Sequence, residues 1–264
     1  MTSTDELLFT AEGGIARLTL NRPQARNALT FGMYQGLIDH CARIEADTGI
    51  KALIITGAGA KAFAAGTDIA QFRSFETAQD AIDYERFMDR VMGALERLAV
   101  PTIAAIAGAC TGGGAAIAAA CDLRIATRDA KLGFPIARTL GNCLSLGNLR
   151  RLSALIGPAR VKDMIFTARL VGAEEALAIG LVGEVVADAD ALAARATDLA
   201  TLMAGHAPLT LRATKEGLRR LQGEDATGAE RPGDDLIRLC YTSADFREGM
   251  EAFLAKRPPN WTGR

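Results

Sequence analysis

From Thr102 to Cys121 the chain carries no charge, a run about as long as a helix needs to cross a bilayer. It consists mostly of alanine and glycine rather than leucine, isoleucine or phenylalanine, and Gly112, Gly113 and Gly114 stand together in its middle. Each glycine costs a helix interior about 1 kcal/mol relative to alanine. A membrane span is therefore rejected. The segment divides instead into a buried strand, a turn and a short buried helix, which demands a large protein body around it.

The remaining sequence supplies that body. Of 264 residues, 49% are hydrophobic and 23% charged, enough for one large domain, or one with a small appendage, and too apolar for disorder. Lys plus Arg number 30 against 31 for Asp plus Glu, so no overall field draws the chain to nucleic acid or to an acidic membrane. An anionic ligand must be held by local groups. Cys41, Cys110, Cys121, Cys143 and Cys240 are scattered and never spaced as CxxC, which suggests neither a disulfide framework nor a zinc site. The opening MTSTDELLFT has no basic segment followed by an apolar run, so a cytoplasmic protein is expected.

Alternation at Ala16, Leu18 and Leu20 predicts a half-exposed strand, and Leu29, Met33, Leu37, Cys41 and Ile44 recur at helical spacing. The run ALIIT from Ala52 to Thr56 predicts a strand buried on both faces. A glycine-rich loop follows, then a helix marked by Phe87, Val91, Leu95 and Leu98 and ended by Pro101. Thr102 to Ala107 and Asp122 to Ala126 predict two more strands around the short helix AAIAAAC. This order implies an α/β fold, a parallel sheet layered with helices. The later part is mainly helical: Ala189, Leu192, Ala196, Leu199 and Met203 share one face, and Pro208 starts another helix. The polar stretch Gly223 to Asp235 predicts a surface loop, and Thr242 or Ser243 a cap for a last helix stopped by Pro258 and Pro259.

Two glycine loops carry the chemistry. In Thr111-Gly112-Gly113-Gly114-Ala115, between strand and helix, free amides and the helix dipole point to one region. Gly113 is the natural donor. In Lys61-Ala62-Phe63-Ala64-Ala65-Gly66-Thr67-Asp68-Ile69, small residues admit a ligand close to the backbone, and Thr67 supplies a second amide. Two such donors suit an oxygen that gains negative charge, as a thioester carbonyl does when it becomes an enolate. Asp68 is placed to cap a helix starting at Ile69.

NRPQARNAL, KAFAAGTDI, IAGACTGGGAAIAAACDLRIA and FREGMEAFLAKRPPNW, in that order, resemble the successive motifs of the enoyl-CoA hydratase/isomerase (crotonase) family over nearly the whole chain. The resemblance implies a spiral of ββα units over residues 1–200. It also implies a helical region, 201–264, that serves trimerisation or covers the site. It places an acyl-CoA oxygen between the amides of Thr67 and Gly113 and the CoA adenine near Ala62, Ala64 and Ala65. Phe253 and Lys256 are implied to reach the CoA, and Arg26 is a candidate for its phosphates. A homotrimer or a dimer of trimers is implied, with no metal or redox cofactor.

Family hydratases move protons with two glutamates. Aligning the glycine turn and the LGFP loop puts those positions at Ala116 and Ile136, and neither side chain ionises. Arg138, Asn142 and Ser145, in the segment that the alignment brings to the acyl pocket, are the substitute candidates, with Cys143 beside them. His40 and His206 fall on predicted helices away from both loops. Ser145 does not sit in GxSxG, which argues against a hydrolase elbow. Two other functions compete. One is an acyl-CoA-binding protein without turnover, suggested by Ala116 and Ile136. The other is an NAD-dependent oxidoreductase, suggested by ALIITGAGAKA, although residues 63–68 lack the helical period that a dinucleotide fingerprint requires.

Overall fold

A computed structural model describes residues 6–222 and 233–264. The chain opens with β1 (Leu7–Glu12), β2 (Ile15–Leu20), α1 (Phe31–Ala46), β3 (Ala52–Gly57), β4 (Ala62–Ala64) and α2 (Ala78–Arg97). Then follow β5 (Thr102–Ile106), β6 (Ala109–Thr111), α3 (Gly113–Ala120), β7 (Leu123–Thr127) and β8 (Lys131–Gly133). The single turn α4 (Ile136–Thr139) leads to α5 (Leu146–Ile156), α6 (Pro158–Phe166), β9 (Val171–Gly172), α7 (Ala173–Ala178) and β10 (Glu184–Val186). Four helices close the described chain: α8 (Ala189–Ala204), α9 (Pro208–Leu221), α10 (Asp234–Tyr241) and α11 (Ala244–Ala255).

The strands build two sheets, a six-stranded one in the order β1-β2-β3-β5-β7-β10 and a four-stranded one in the order β4-β6-β8-β9. Successive strands alternate between them: β3 joins the large sheet and β4 the small one, and β5 with β6 and β7 with β8 repeat the step. Within the large sheet every pairing from β2 to β10 is parallel. Its apolar runs are explained by burial on both sides. Leu53 and Ile55 enter the main core, whereas Ala52 and Ile54 pack with Leu192, Ala196 and Ala200 of α8 on the opposite face.

The expected strands and helices are present with small shifts of boundary, but three readings are corrected. β1 precedes the first expected strand and pairs with β2 antiparallel. The glycine-rich loop after ALIIT contains β4, fully buried and paired with β6. β4, with three residues, is too short for any hydrophobic period to show, and only Leu7 of β1 is buried. A strand after β3, in place of a helix, also removes the context that a dinucleotide fingerprint needs. His206 sits in the turn after α8, not in a helix. Of the expected loop from Gly223 to Asp235, residues 223–232 lie outside the described residues.

The caps follow local chemistry. Thr30, Asp68 and Ser243 each accept a bond from a backbone N–H in the first turn of the helix they precede. Leu29, expected to open α1, instead forms a parallel bridge to Thr67. Among the described residues no helix is long and apolar enough to cross a membrane.

Candidate active site

The two glycine loops meet at one cleft. Gly112, with φ 52°, makes the sharp exit from β6 that a side chain would resist, and Gly113 is the first residue of α3. A Cβ placed on Gly112 would lie 3.4 Å from Gly66 Cα, so the loops touch backbone to backbone. Thr67 and Gly113 both line a cleft of ≈ 190 Å³.

Both loops offer free donors to it. In the parallel bridge to Leu29, the neighbours of Thr67 make the bonds: Leu29 N donates to Gly66 O and Asp68 N donates to Leu29 O, each at 2.8 Å. The Thr67 N–H therefore points away from that bridge. Gly113, at the head of a helix, has no intrahelical acceptor. Neither N–H has a hydrogen-bond partner among the described residues.

The Thr67 side chain does not cap a helix. Its Oγ1 stands 2.8 Å from the Tyr34 hydroxyl and 3.0 Å from the Tyr84 hydroxyl. Burial pushes both phenol pKa values up, foremost through desolvation, so the chain of hydroxyls stays protonated and fixes the loop in position. Tyr84 is held in turn by rings of the short helix Ile69–Ser74 and its flank, with Phe72 at 5.0 Å and Phe75 at 5.9 Å between centroids.

The rest of the cleft is mostly apolar: Phe72, Met88, Met92, Phe134, Ile136, Leu140 and Leu144 line it with Ala116. Thus both positions where family hydratases are expected to carry glutamate present hydrocarbon to the cavity. Asn142 lines it, as do Thr139 and Asn148. Arg138 and Ser145 do not. In the single turn α4, Ile136, Thr139 and Leu140 share the inward face, so Arg138, two residues after Ile136, is turned to solvent. The Ser145 hydroxyl accepts from Asn148 N at 3.2 Å and donates to Asp89 Oδ1 at 2.8 Å, and so serves as the N-cap of α5. Cys143 is exposed beyond the cleft.

A carboxylate that the sequence reading missed lies in the same cleft. Glu85, on α2, lines the cleft with Tyr84 and Met88 and has its pKa raised by burial and then by Asp89. Asp89 is 3.8 Å from the buried guanidinium of Arg151, which also binds Glu96 through two bonds of 2.6 and 2.8 Å. The signal was available: Glu85, Met88 and Met92 fall at i, i+3 and i+7, so a charge stands on the apolar stripe of α2.

The residues expected at a CoA lie farther out. Ala65 is exposed and lines the cleft, and its N–H donates to Arg26 O at 3.0 Å, which sets exposed Arg26 beside it. Ala62 and Ala64 are buried in β4, and Ala62 O accepts from Asn27 Nδ2 at 2.7 Å. Phe253 is 84% exposed on α11 and Lys256 is its exposed C-cap. Neither lines the cleft. A larger hollow of ≈ 480 Å³ lies under α9. Its charges are engaged internally: Lys215 Nζ binds Asp122 at 2.8 Å, and Arg124 donates to the carbonyls of Leu181, Ala118 and Cys121.

Known proteins agree with this architecture. Residues 10–264 match the family model described as enoyl-CoA hydratase/isomerase. A short-chain-enoyl-CoA hydratase of Clostridium acetobutylicum is 35% identical over 96% of this chain and 96% of its own length. A crotonyl-CoA hydratase of Syntrophomonas wolfei is 34% identical over 98% and 99%. The crystal structure of an enoyl-CoA hydratase/carnithine racemase from Magnetospirillum magneticum superposes with a TM-score of 0.90 at 36% identity, covering 98% of this chain and 96% of that one. With its alternating two-sheet spiral and a sequence match that runs almost from end to end, the chain belongs to the enoyl-CoA hydratase/isomerase, or crotonase, family.

Proposed function

We propose that the cleft binds an acyl-CoA thioester and that the backbone N–H groups of Thr67 and Gly113 hold its carbonyl oxygen as negative charge develops there. One observation carries this reading: two donors from separate loops line one cavity, and no group among the described residues uses them. Fixed donors at a developing oxyanion are worth about 3 to 4 kcal/mol each. The protein is on this reading an acyl-CoA-processing enzyme of the hydratase/isomerase type that stabilises an enolate. Ala116 and Ile136 cannot run the two-glutamate hydration.

The same reading gives Arg26, Ala62, Ala64, Ala65, Phe253 and Lys256 to the CoA moiety. It needs neither a metal nor a redox cofactor, because amide donors and one proton carrier suffice. It also carries the expectation of a trimer or dimer of trimers in the cytoplasm. A second reading, acyl-CoA binding without turnover, draws on the hydrocarbon at positions 116 and 136.

A panel of enoyl-, hydroxyacyl- and malonyl-type CoA thioesters, followed by calorimetry for binding and mass spectrometry for conversion, separates the two. Saturable binding with conversion of at least one thioester is the expected result. Binding with no conversion anywhere selects the second reading, and no binding at all removes both.

A further inference from the structure

We propose that Glu85 is the catalytic acid–base of the cleft, the group that takes a proton from the carbon next to the thioester carbonyl and hands it back. This rests on the cleft being an acyl-CoA thioester site.

The geometry selects Glu85 by elimination. Among the described residues that line the cavity, only Glu85 and Tyr84 ionise, and Tyr84 is engaged at 3.0 Å with the Thr67 hydroxyl. Arg138, Ser145 and Cys143, the polar candidates of the adjoining segment, lie outside it. Glu85 faces the cavity from α2, whereas the free amides stand on the loops that precede Ile69 and open α3. A thioester seated in this cleft therefore has donors for its oxygen and a carboxylate from a different element within one cavity.

The surroundings of Glu85 suit a group that must change protonation. Its carboxyl is partly buried and is pushed above its ordinary value by desolvation first and Asp89 second. A base gains effectiveness as its pKa approaches the working pH. The charged groups near it are Asp89, one turn along α2, and Arg151 of α5, which reaches Asp89 at 3.8 Å. Ser145 anchors the same arrangement by donating to Asp89 Oδ1 at 2.8 Å. A structural glutamate with an arginine partner would have its pKa lowered instead.

The proton step balances on this residue alone. The Glu85 carboxylate forms an O–H bond to the hydrogen on the α-carbon as the C–H bond breaks. The released pair moves through the carbonyl carbon onto oxygen, held by Thr67 N and Gly113 N. The Glu85 O–H trades its hydrogen with solvent, and collapse of the enolate takes the proton then on Glu85 to the α-carbon, or to the γ-carbon when a β,γ double bond is present. The second outcome shifts the double bond with no water consumed.

Exchange of the α-hydrogens of butyryl-CoA in heavy water, read by mass spectrometry, isolates this step from any complete reaction. Wild-type protein is expected to bind butyryl-CoA and to exchange it. Glu85→Gln is expected to bind equally well and to exchange about 100-fold more slowly or worse, with Glu85→Asp between them. The wild-type rate is expected to rise with pH through a single ionisation above the value of a free glutamate, and that ionisation is expected to be missing in Glu85→Gln. Circular dichroism checks folding, and Glu85→Asp decides the matter if the glutamine variant unfolds. Exchange that is unchanged in both variants overturns the role of Glu85 and leaves the thioester reading standing. Wild-type binding without exchange does the same. Absence of butyryl-CoA binding, with none to any thioester of the panel, removes the thioester reading and the role of Glu85 with it.

Discussion

The hydroxyls of Tyr34 and Thr67 stand 2.8 Å apart, so a residue buried in α1 fastens the loop that presents one of the two free amides. Tyr34→Phe deletes this tie while Tyr84 keeps its own bond to Thr67 at 3.0 Å. The expected cost is about 1 kcal/mol of stability, read by urea denaturation. Turnover is expected to fall by less than about tenfold, because the loop keeps its second anchor.

Gly113→Ala acts on the other amide. The added methyl would collide with the Tyr34 hydroxyl, so the head of α3 must shift and take its N–H with it. We expect a loss of about 1 to 3 kcal/mol from overpacking and of about 100-fold in turnover. In a double variant with Tyr34→Phe, the nearest remaining atoms are Thr67 Oγ1 at 3.1 Å and the ring Cζ at 3.2 Å. The double variant is expected to be more stable than the sum of the single losses allows, and thermal melts of all four proteins measure that coupling.

Arg151 is 3% exposed at its side chain and joins Glu96 and Asp89. Arg151→Ala leaves two carboxylates without their shared cation. The expected loss is about 3 to 5 kcal/mol, measured by urea titration. A stability change near zero would show that water already compensates these carboxylates.

Glu85→Gln has a signed effect on stability. Because burial raises the folded-state pKa, the native protein favours the protonated acid, and stability from this site is lost as pH rises through that pKa. Glutamine removes the loss. The melting temperature of the variant is expected to match wild type near about pH 4 and to exceed it near about pH 8, while α-hydrogen exchange slows as stated above. A variant less stable at the higher pH would contradict the assignment of burial as the dominant cause.

Placing Glu at both Ala116 and Ile136 tests whether the amides are already poised for hydration. Both positions line the cleft, so new carboxylates there would face the bound acyl group. Hydration of crotonyl-CoA is expected to rise at least about tenfold over wild type, at a cost in stability from burying two acids. Absorbance of the enoyl thioester follows it directly.

What could be read from the sequence was what leaves a local mark. The apolar runs at β3 and β5, the glycine turn before α3, and the caps Asp68 and Ser243 each depend on neighbours a few residues away. The small sheet left no mark, because Ala62–Ala64, Ala109–Thr111 and Lys131–Gly133 are too short for a period and pair only through distant segments. Arg138 looked like a pocket residue because its segment does reach the cleft, but the single turn of α4 decides which of its residues face inward. Glu85 was hidden by an ordinary expectation that a charge on a helix is solvated. Its place on the stripe with Met88 and Met92 is the local mark, and only the packing of the Ser145 loop over α2 gives that mark its meaning.

Helix α3 has a further consequence. It is built from glycine, alanine and one isoleucine, and a methyl on Gly114 would come within 2.5 Å of the Ala64 carbonyl oxygen. The head of this helix is thus closed to side chains at Gly113 and Gly114. Ala116 on the same helix, α2 and the segment Pro135 to Leu144 are where the cleft presents side chains that can be exchanged.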